Sequence, residues 1–196
     1  MNIYQISALG ILIVYYAAYI IKLLGQKKKG IHTTQLGRGD KSTRTMIVEK
    51  ALSKVTVLIV LIEIVSIVFE VSFPVHRFFK IAGILIAAFG TGIFIFAMIT
   101  MQDSWRAGIP TGDKTRLVTS GIYKVSRNPA FLGFDLVYIG IGTAFLNPVL
   151  AFISIVGIVL IHFQILEEES FLAKVFGEEY EIYKQKVGRY FGVINK

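Results

Sequence analysis

Cysteine is absent from the 196 residues. That removes disulfides, thiolate catalysis and cysteine-based metal sites in one step. Proline is scarce, with 4 residues, whereas glycine is plentiful, with 18. This balance suits long helices that approach one another closely. Charge is also thin: 17% of residues are charged against 54% hydrophobic, and the mean hydropathy is +0.64. An ordinary soluble domain of this size is not so apolar. Acidic residues are the rarer sign, 13 against 21 basic, for a net charge of +8. In a soluble chain that excess would suggest nucleic acid. In a membrane chain the positive-inside rule accounts for it, so no nucleic-acid partner is expected. Histidine numbers 3, and His76 stands alone in a short turn where no chemistry is expected of it. No metal site is expected.

The apolar runs predict an all-α polytopic integral membrane protein, with about five transmembrane helices and a C-terminal amphipathic helix. The spans fall at 3–24, 55–73, 78–100, 130–146 and 149–166. The last two are short against the ~17 to 25 residues needed to cross, so they form a hairpin that crosses or nearly crosses. No small-residue cleavage pattern follows the first span, which reads as an uncleaved helix. Residues 25–54 are rich in Gly, Ser, Thr and Lys and predict a polar connection. Almost all Lys and Arg lie at its end of the bundle, so the N-terminus is expected outside and the C-terminus inside, in the cytoplasmic membrane of a prokaryote. The chain reads as one domain over 1–196, with three N-terminal spans in 1–100. A loop, a helical hairpin and a C-terminal helix occupy 101–196.

Within this frame a few polar residues stand out. Glu63 falls near the middle of the second span, with Ser66 and Glu70 on roughly the same face. A carboxyl at that depth must face the bundle interior, either as a polar wall of a cavity or as an interhelical hydrogen bond. Tyr15, Tyr16 and Tyr19 read as packing or interface residues. Trp105-Arg106 reads as an interfacial anchor. Asp135 is expected to pair with Arg127. Gly90-Thr91-Gly92 and Gly140-Ile141-Gly142 resemble the start of a dinucleotide fingerprint, but Ile95 and Phe145 occupy the third glycine position and no strand precedes them. What these segments offer is close helix approach.

The stretch 115–133, TRLVTSGIYKVSRNPAFLG, mixes charge, turn residues and aromatics between two hydrophobic runs. Asn128-Pro129 predicts a helix start, because Pro disfavours the helical region for the residue before it and suits the first helical position itself. From Glu167 the chain turns amphiphilic. Phe171, Leu172, Val175 and Phe176 recur at helical spacing, Gly177 is a candidate break, and Tyr180, Tyr183 and Val187 continue an apolar face beyond it. The positive-inside assignment puts Glu167–Glu169 at the same membrane edge as 115–133. A polar, ligand-capable site at a lipid boundary suits an enzyme that joins a water-soluble cofactor to a lipid-like substrate.

The residues LVTSGIY at 117–123, RNPAFLG at 127–133, EESFL at 168–172 and FGEEYEIYK at 176–184 come in series. In this series the chain resembles the isoprenylcysteine carboxyl methyltransferase family and its phospholipid-methylating relatives. The resemblance implies an integral-membrane methyltransferase that uses S-adenosyl-L-methionine on a small lipophilic acceptor or lipid. It implies cofactor contacts from Thr115, Arg116, Leu117, Val118, Tyr123, Asn128, Pro129, Ala130, Phe131 and Glu168, while no catalytic residue is assigned. Asn128 stands where the family has His, and Phe131 where it has Tyr. Gln164 stands where isoprenylcysteine enzymes carry the Arg that meets a substrate carboxylate, so Gln164 is the expected substrate contact. Alternatives are a phospholipid N-methyltransferase, a non-catalytic lipid-binding protein of the same fold, or a nicotinamide-dependent reductase on a related fold. The last would need a basic cluster for a 2′-phosphate, which the motif series lacks.

Overall fold

A computed structural model of the chain describes residues 1–110 and 115–193. The loop expected at 101–114 is thus described up to Pro110, and 111–114 lie outside the described residues. Among the described residues five α-helices make up the architecture: α1 Ile3–Lys28, α2 Thr43–Val68, α3 Arg77–Met101, α4 Pro129–Ala144 and α5 Pro148–Lys186. Single turns of 3-10 helix occupy Gln102–Ser104 and Gly121–Lys124. Four of the helices are long and apolar enough to cross a membrane, and α4, with 16 residues, is shorter. Leu85, Phe89, Phe96 and Ile99 on α3 and Phe152 and Ile155 on α5 are exposed, a distribution that only an apolar solvent favours.

The bundle is organised around the α3–α4 pair. Gly83, Gly90, Gly133 and Gly140 form the seam between them. A Cβ on Gly140 would sit 2.5 Å from the backbone N of Ala87 and from the carbonyl O of Gly83, so no side chain fits there. Small residues therefore let two backbones touch, which is how helices associate when lipid removes the hydrophobic drive between them. Gly92 and Gly142, the other glycines of the two expected pairs, meet nothing within 4 Å. Helix α5 packs on α2, and α1 packs on α3.

One end of the bundle is sewn together by amides. Asn147 caps α5 by accepting from the Leu150 N–H at 2.9 Å, and its own amide donates to Ser66 Oγ and to the Val71 carbonyl. Gln5 donates to the Ile67 carbonyl at 2.7 Å, tying the start of α1 to the end of α2. Buried amides matched to helix-end carbonyls satisfy groups that the helix itself leaves open.

Four expectations need correction here. The polar connection 25–54 ends early: α2 starts at Thr43 under a Ser42 cap, because Ser at the N-cap accepts from Thr45 N–H and opens a helix well before the apolar run begins. Glu70 does not share a helical face with Glu63. It lies beyond the end of α2 at φ 49, exposed and paired with Lys80. Glu63 is fully buried, but neither carboxyl oxygen has a hydrogen-bond partner among the described residues, so the interhelical bond is not formed. The amphiphilic C-terminal stretch is continuous with the fifth span in one 39-residue helix, broken only at Gly177, where φ is 52. Glycine alone takes that left-handed conformation without strain. Beyond the kink, Tyr180, Tyr183 and Val187 are buried against Leu117 and Leu172, so this face is covered by protein. His76 caps α3 by accepting from the Phe78 N–H.

Candidate active site

Two structural latches bring distant segments to the same end of the bundle. The first is built on Glu49, fully buried on α2. Its carboxylate accepts from the Gly37 N–H at 2.7 Å and the Ile109 N–H at 2.9 Å, and it pairs with Lys41, whose side chain is 3% exposed. Residues 33–35 and 107 pair as a short parallel bridge: Ala107 N–H donates to the Thr33 carbonyl, and Gln35 N–H to the Ala107 carbonyl. Gly108 makes this approach possible, since a Cβ there would lie 2.7 Å from Leu36 N. The connection after α1 is thus a fitted wall, locked to the segment after α3.

The second latch is built on Glu169. Its Oε1 accepts from Arg127 Nη2 at 2.9 Å and Asn128 Nδ2 at 3.1 Å, and its Oε2 accepts from Arg189 Nη2 at 2.9 Å. Arg127 also donates to the Lys184 and Val187 carbonyls, so it clamps the far end of α5. Tyr183 donates to the Tyr123 carbonyl at 2.6 Å. The hydrogen bonds to Glu169 hold the Arg189 guanidinium above its ordinary range. The expected Arg127–Asp135 pair is not formed. Arg127 points to α5, and Asp135 Oδ1 is buried without a partner. Arg127 lies before the start of α4, and Glu169 together with the Lys184 and Val187 carbonyls supplies its guanidinium with three acceptors.

Between these latches lies a cavity of about 360 Å³. That is within the range of small-molecule sites. Of the residues expected at the site, Thr115, Arg116, Leu117, Val118, Tyr123, Asn128, Ala130, Phe131, Gln164 and Glu168 line it. Pro129 does not. It is buried as the first residue of α4, where it sets the helix start while its neighbours face the cavity. Arg116 is exposed. Burial, then the Glu168 carboxylate and Tyr183, push the Tyr123 phenol above its ordinary range, so it remains a protonated hydrogen-bond donor. Gln164 is fully buried: its amide donates to Glu168 Oε1 at 3.0 Å, and its Oε1 has no partner.

The deeper wall was not legible as a site. Tyr15, Tyr16 and Tyr19 of α1 line the cavity together with Phe94 and Phe134. Tyr15 packs on Phe94 at 4.5 Å between ring centroids and edge-on to Phe134 at 5.4 Å. Trp105 is not an interfacial anchor. It is 6% exposed, packs edge-on to Phe94 and lines the cavity, because the turn 102–104 folds it back under α3. Thr34, Leu36, Ser53 and Thr56 also line the cavity. Only the tyrosine cluster in the sequence hinted at this half. The result is a cavity with a polar end at Thr115, Asn128 and Glu168 and an aromatic, apolar end reaching into the bundle.

Comparison with known proteins bears on this arrangement. A yeast protein-S-isoprenylcysteine O-methyltransferase (Saccharomyces cerevisiae) is 35% identical over 113 residues, 55% of this chain and 46% of the relative. A probable protein-S-isoprenylcysteine O-methyltransferase of rice (Oryza sativa subsp. indica) is 30% identical over 119 residues, 57% of this chain and 60% of the relative. Protein-S-isoprenylcysteine O-methyltransferase B of Arabidopsis thaliana is 28% identical over 147 residues, 73% of this chain and 74% of the relative. The chain thus spans about 60% of the rice relative's length and less than half of the yeast one. Residues 78–179 match the phospholipid methyltransferase family along α3, α4, the connecting stretch and most of α5. The match covers more than half of the chain, including Arg127, Asn128 and Glu169 of the second latch, and the chain belongs to the phospholipid methyltransferase family.

Proposed function

We propose that this chain is an integral-membrane S-adenosylmethionine-dependent methyltransferase that acts on a small lipophilic acceptor, in the manner the names of its relatives describe. The observation that carries the reading is the two-ended cavity. One end is lined by the polar residues of the family motifs, and the other is aromatic and enclosed by membrane helices. The residues present fit the cofactor. Glu168 suits an ammonium or hydroxyl donor, and the protonated Tyr123 phenol suits an acceptor. The rings of Tyr15, Tyr16, Phe94 and Phe134 offer electron-rich faces to a cation.

When bound, S-adenosylmethionine supplies a methyl group on a positively charged sulfur, already activated for transfer. The protein has then to align donor and acceptor and to keep water out. The Glu49 latch closes 33–41 and 105–109 over one side, and the Glu169 latch fixes Asn128 and the Gly121–Lys124 turn on the other. The basic residues at this end, Lys27, Lys28, Lys29, Arg38 and Arg44 among them, support a cytoplasmic orientation of the cofactor end.

The test is calorimetric titration of the detergent-purified chain with S-adenosylhomocysteine, with NADPH as comparison. Saturable binding of the first and none of the second is expected, with at least a tenfold loss in Glu168→Ala. A folded, monodisperse sample that does not bind S-adenosylhomocysteine refutes the reading. Equal affinity in wild type and Glu168→Ala refutes the site assignment.

A further inference from the structure

The chain beyond α5 folds back on itself. Val187 and Val193 bridge antiparallel, and the Gly188 N–H donates to the Gly192 carbonyl at 2.7 Å. The turn needs both glycines: Gly192 has φ 107, and a Cβ on Gly188 would lie 2.5 Å from the Phe191 carbonyl O. It is tied to the entry of α4. The Gly192 N–H donates to the Val125 carbonyl at 2.9 Å, the Arg127 N–H to the Gly188 carbonyl at 3.0 Å, and Asn128 Nδ2 to the Arg189 carbonyl at 3.2 Å.

Aromatic contacts set the depth of this turn. The Tyr190 hydroxyl meets His162 Nδ1 at 2.6 Å, and the two rings stack with 6.1 Å between centroids. His162 belongs to the apolar run 149–166 and precedes Glu167 by five residues, which is about 7 Å along a helix that rises 1.5 Å per residue. Its neighbour Phe163, with ring centroids 6.3 Å apart, is exposed on the same face of α5 as the exposed Val159. The turn therefore reaches the level of the last helical turn of the span. Backbone at that depth has to be satisfied by protein, and the bonds to Val125, Arg127 and Asn128 do this for Gly192, Gly188 and Arg189.

The outward side of the turn is apolar. Phe191 is 72% exposed, Val193 58% and Val125 49%, and the Gly192–Val125 bond brings their backbones together. Lys124 and Lys186 are exposed next to them in the chain, and the Arg189 side chain is partly so. An aromatic ring among aliphatic side chains, rimmed by cations, is the composition that suits the boundary between headgroups and acyl chains. The rings of Phe163, His162 and Tyr190 lead without a break to Phe191, so the patch continues the face of α5 that already meets lipid.

We propose that the turn Gly188–Val193 is a bilayer anchor: Phe191, with Val193 and Val125, inserts between lipid headgroups and acyl chains, and its partner is the lipid leaflet and not another protein. The anchor is coupled to the Glu169 latch, because Arg189 of the same turn donates to Glu169 and the Arg127 N–H is bonded to Gly188. Insertion of the turn thus helps to hold the latch, and with it Asn128 at the cavity wall. This holds whatever reaction the cavity performs.

The chain has no cysteine, so Phe191→Cys carries a nitroxide label at one place only. The full chain is reconstituted in vesicles of three parts phosphatidylcholine to one part phosphatidylglycerol. Collisions of the label are measured with oxygen, which concentrates in lipid, and with a nickel chelate, which stays in water. The ratio of oxygen to nickel accessibility is expected to exceed, by on the order of tenfold, that of a label at Asp40→Cys in the exposed polar loop. Val193→Cys, on the other side of Gly192, is expected to give the same high ratio. Ratios equal to that at Asp40 overturn the proposal, and so does shielding from both reagents, the sign of a protein partner or a second copy. Phe191→Asp is expected to speed hydrogen exchange at the Gly188 and Gly192 amides by about tenfold or more in the same vesicles. Exchange as slow as in the wild type would overturn the coupling to the latch.

Discussion

Replacing Glu169 by Ala removes the acceptor that joins 127–128, α5 and the C-terminal segment. The two guanidiniums left behind differ in exposure: Arg127 is 7% exposed, and Arg189 is 36%. Removing one partner of a buried pair costs about 3–5 kcal/mol, because the other charge is left uncompensated. The Arg189 pair is largely solvent-screened and contributes on the order of 0–1 kcal/mol. Almost all of the loss therefore comes from Arg127. Three backbone bonds report the local opening: Arg127 N–H to the Gly188 carbonyl, Gly188 N–H to the Gly192 carbonyl, and Gly192 N–H to the Val125 carbonyl. At about 1.4 kcal/mol per decade, Glu169→Ala should speed hydrogen exchange at these amides by roughly 150- to 5,000-fold. Arg189→Ala should speed it by about fivefold or less. S-adenosylhomocysteine affinity should fall in the first variant and hold in the second, because Asn128 loses a partner only in the first. Equal acceleration in the two variants would refute the argument from burial.

Further outcomes follow from the other contacts. Glu49→Ala leaves Lys41 buried and the Gly37 and Ile109 N–H groups without their acceptor, a loss of about 3–5 kcal/mol. Limited proteolysis should then cut at Arg38 and Lys41 before any helix is cleaved, and protection equal to wild type would contradict the latch. Gly140→Ala puts a methyl 2.5 Å from the α3 backbone and should lower the thermal transition in detergent, by about 1–3 kcal/mol of overpacking. Gly142→Ala meets open space and should leave it level or raise it. A Gly140→Ala protein as stable as Gly142→Ala would mean that the α3–α4 seam is looser than described.

The membrane class, the helical spans and the polar stretch 115–133 were all legible in local sequence, because each depends on properties that neighbours in the chain share. Apolar runs of about 20 residues fix helices, since a helix satisfies all its backbone groups in lipid within one segment. Asn128-Pro129 fixes the start of α4 through backbone sterics alone. Partner choice was not legible. Arg127 was expected to pair with Asp135, and only the fold of α5, bringing Glu169 and the Lys184 and Val187 carbonyls to the same guanidinium, turned it elsewhere. The role of the first half of the chain was equally hidden. Tyr15, Trp105 and Glu49 look like packing, anchoring and surface residues one at a time. They form walls and a latch because α1, α2 and the 102–109 segment converge over the cavity. Composition and periodicity determine which segments enter the membrane. Which buried charge meets which partner depends on contacts between segments 60 residues apart, and so on the tertiary structure.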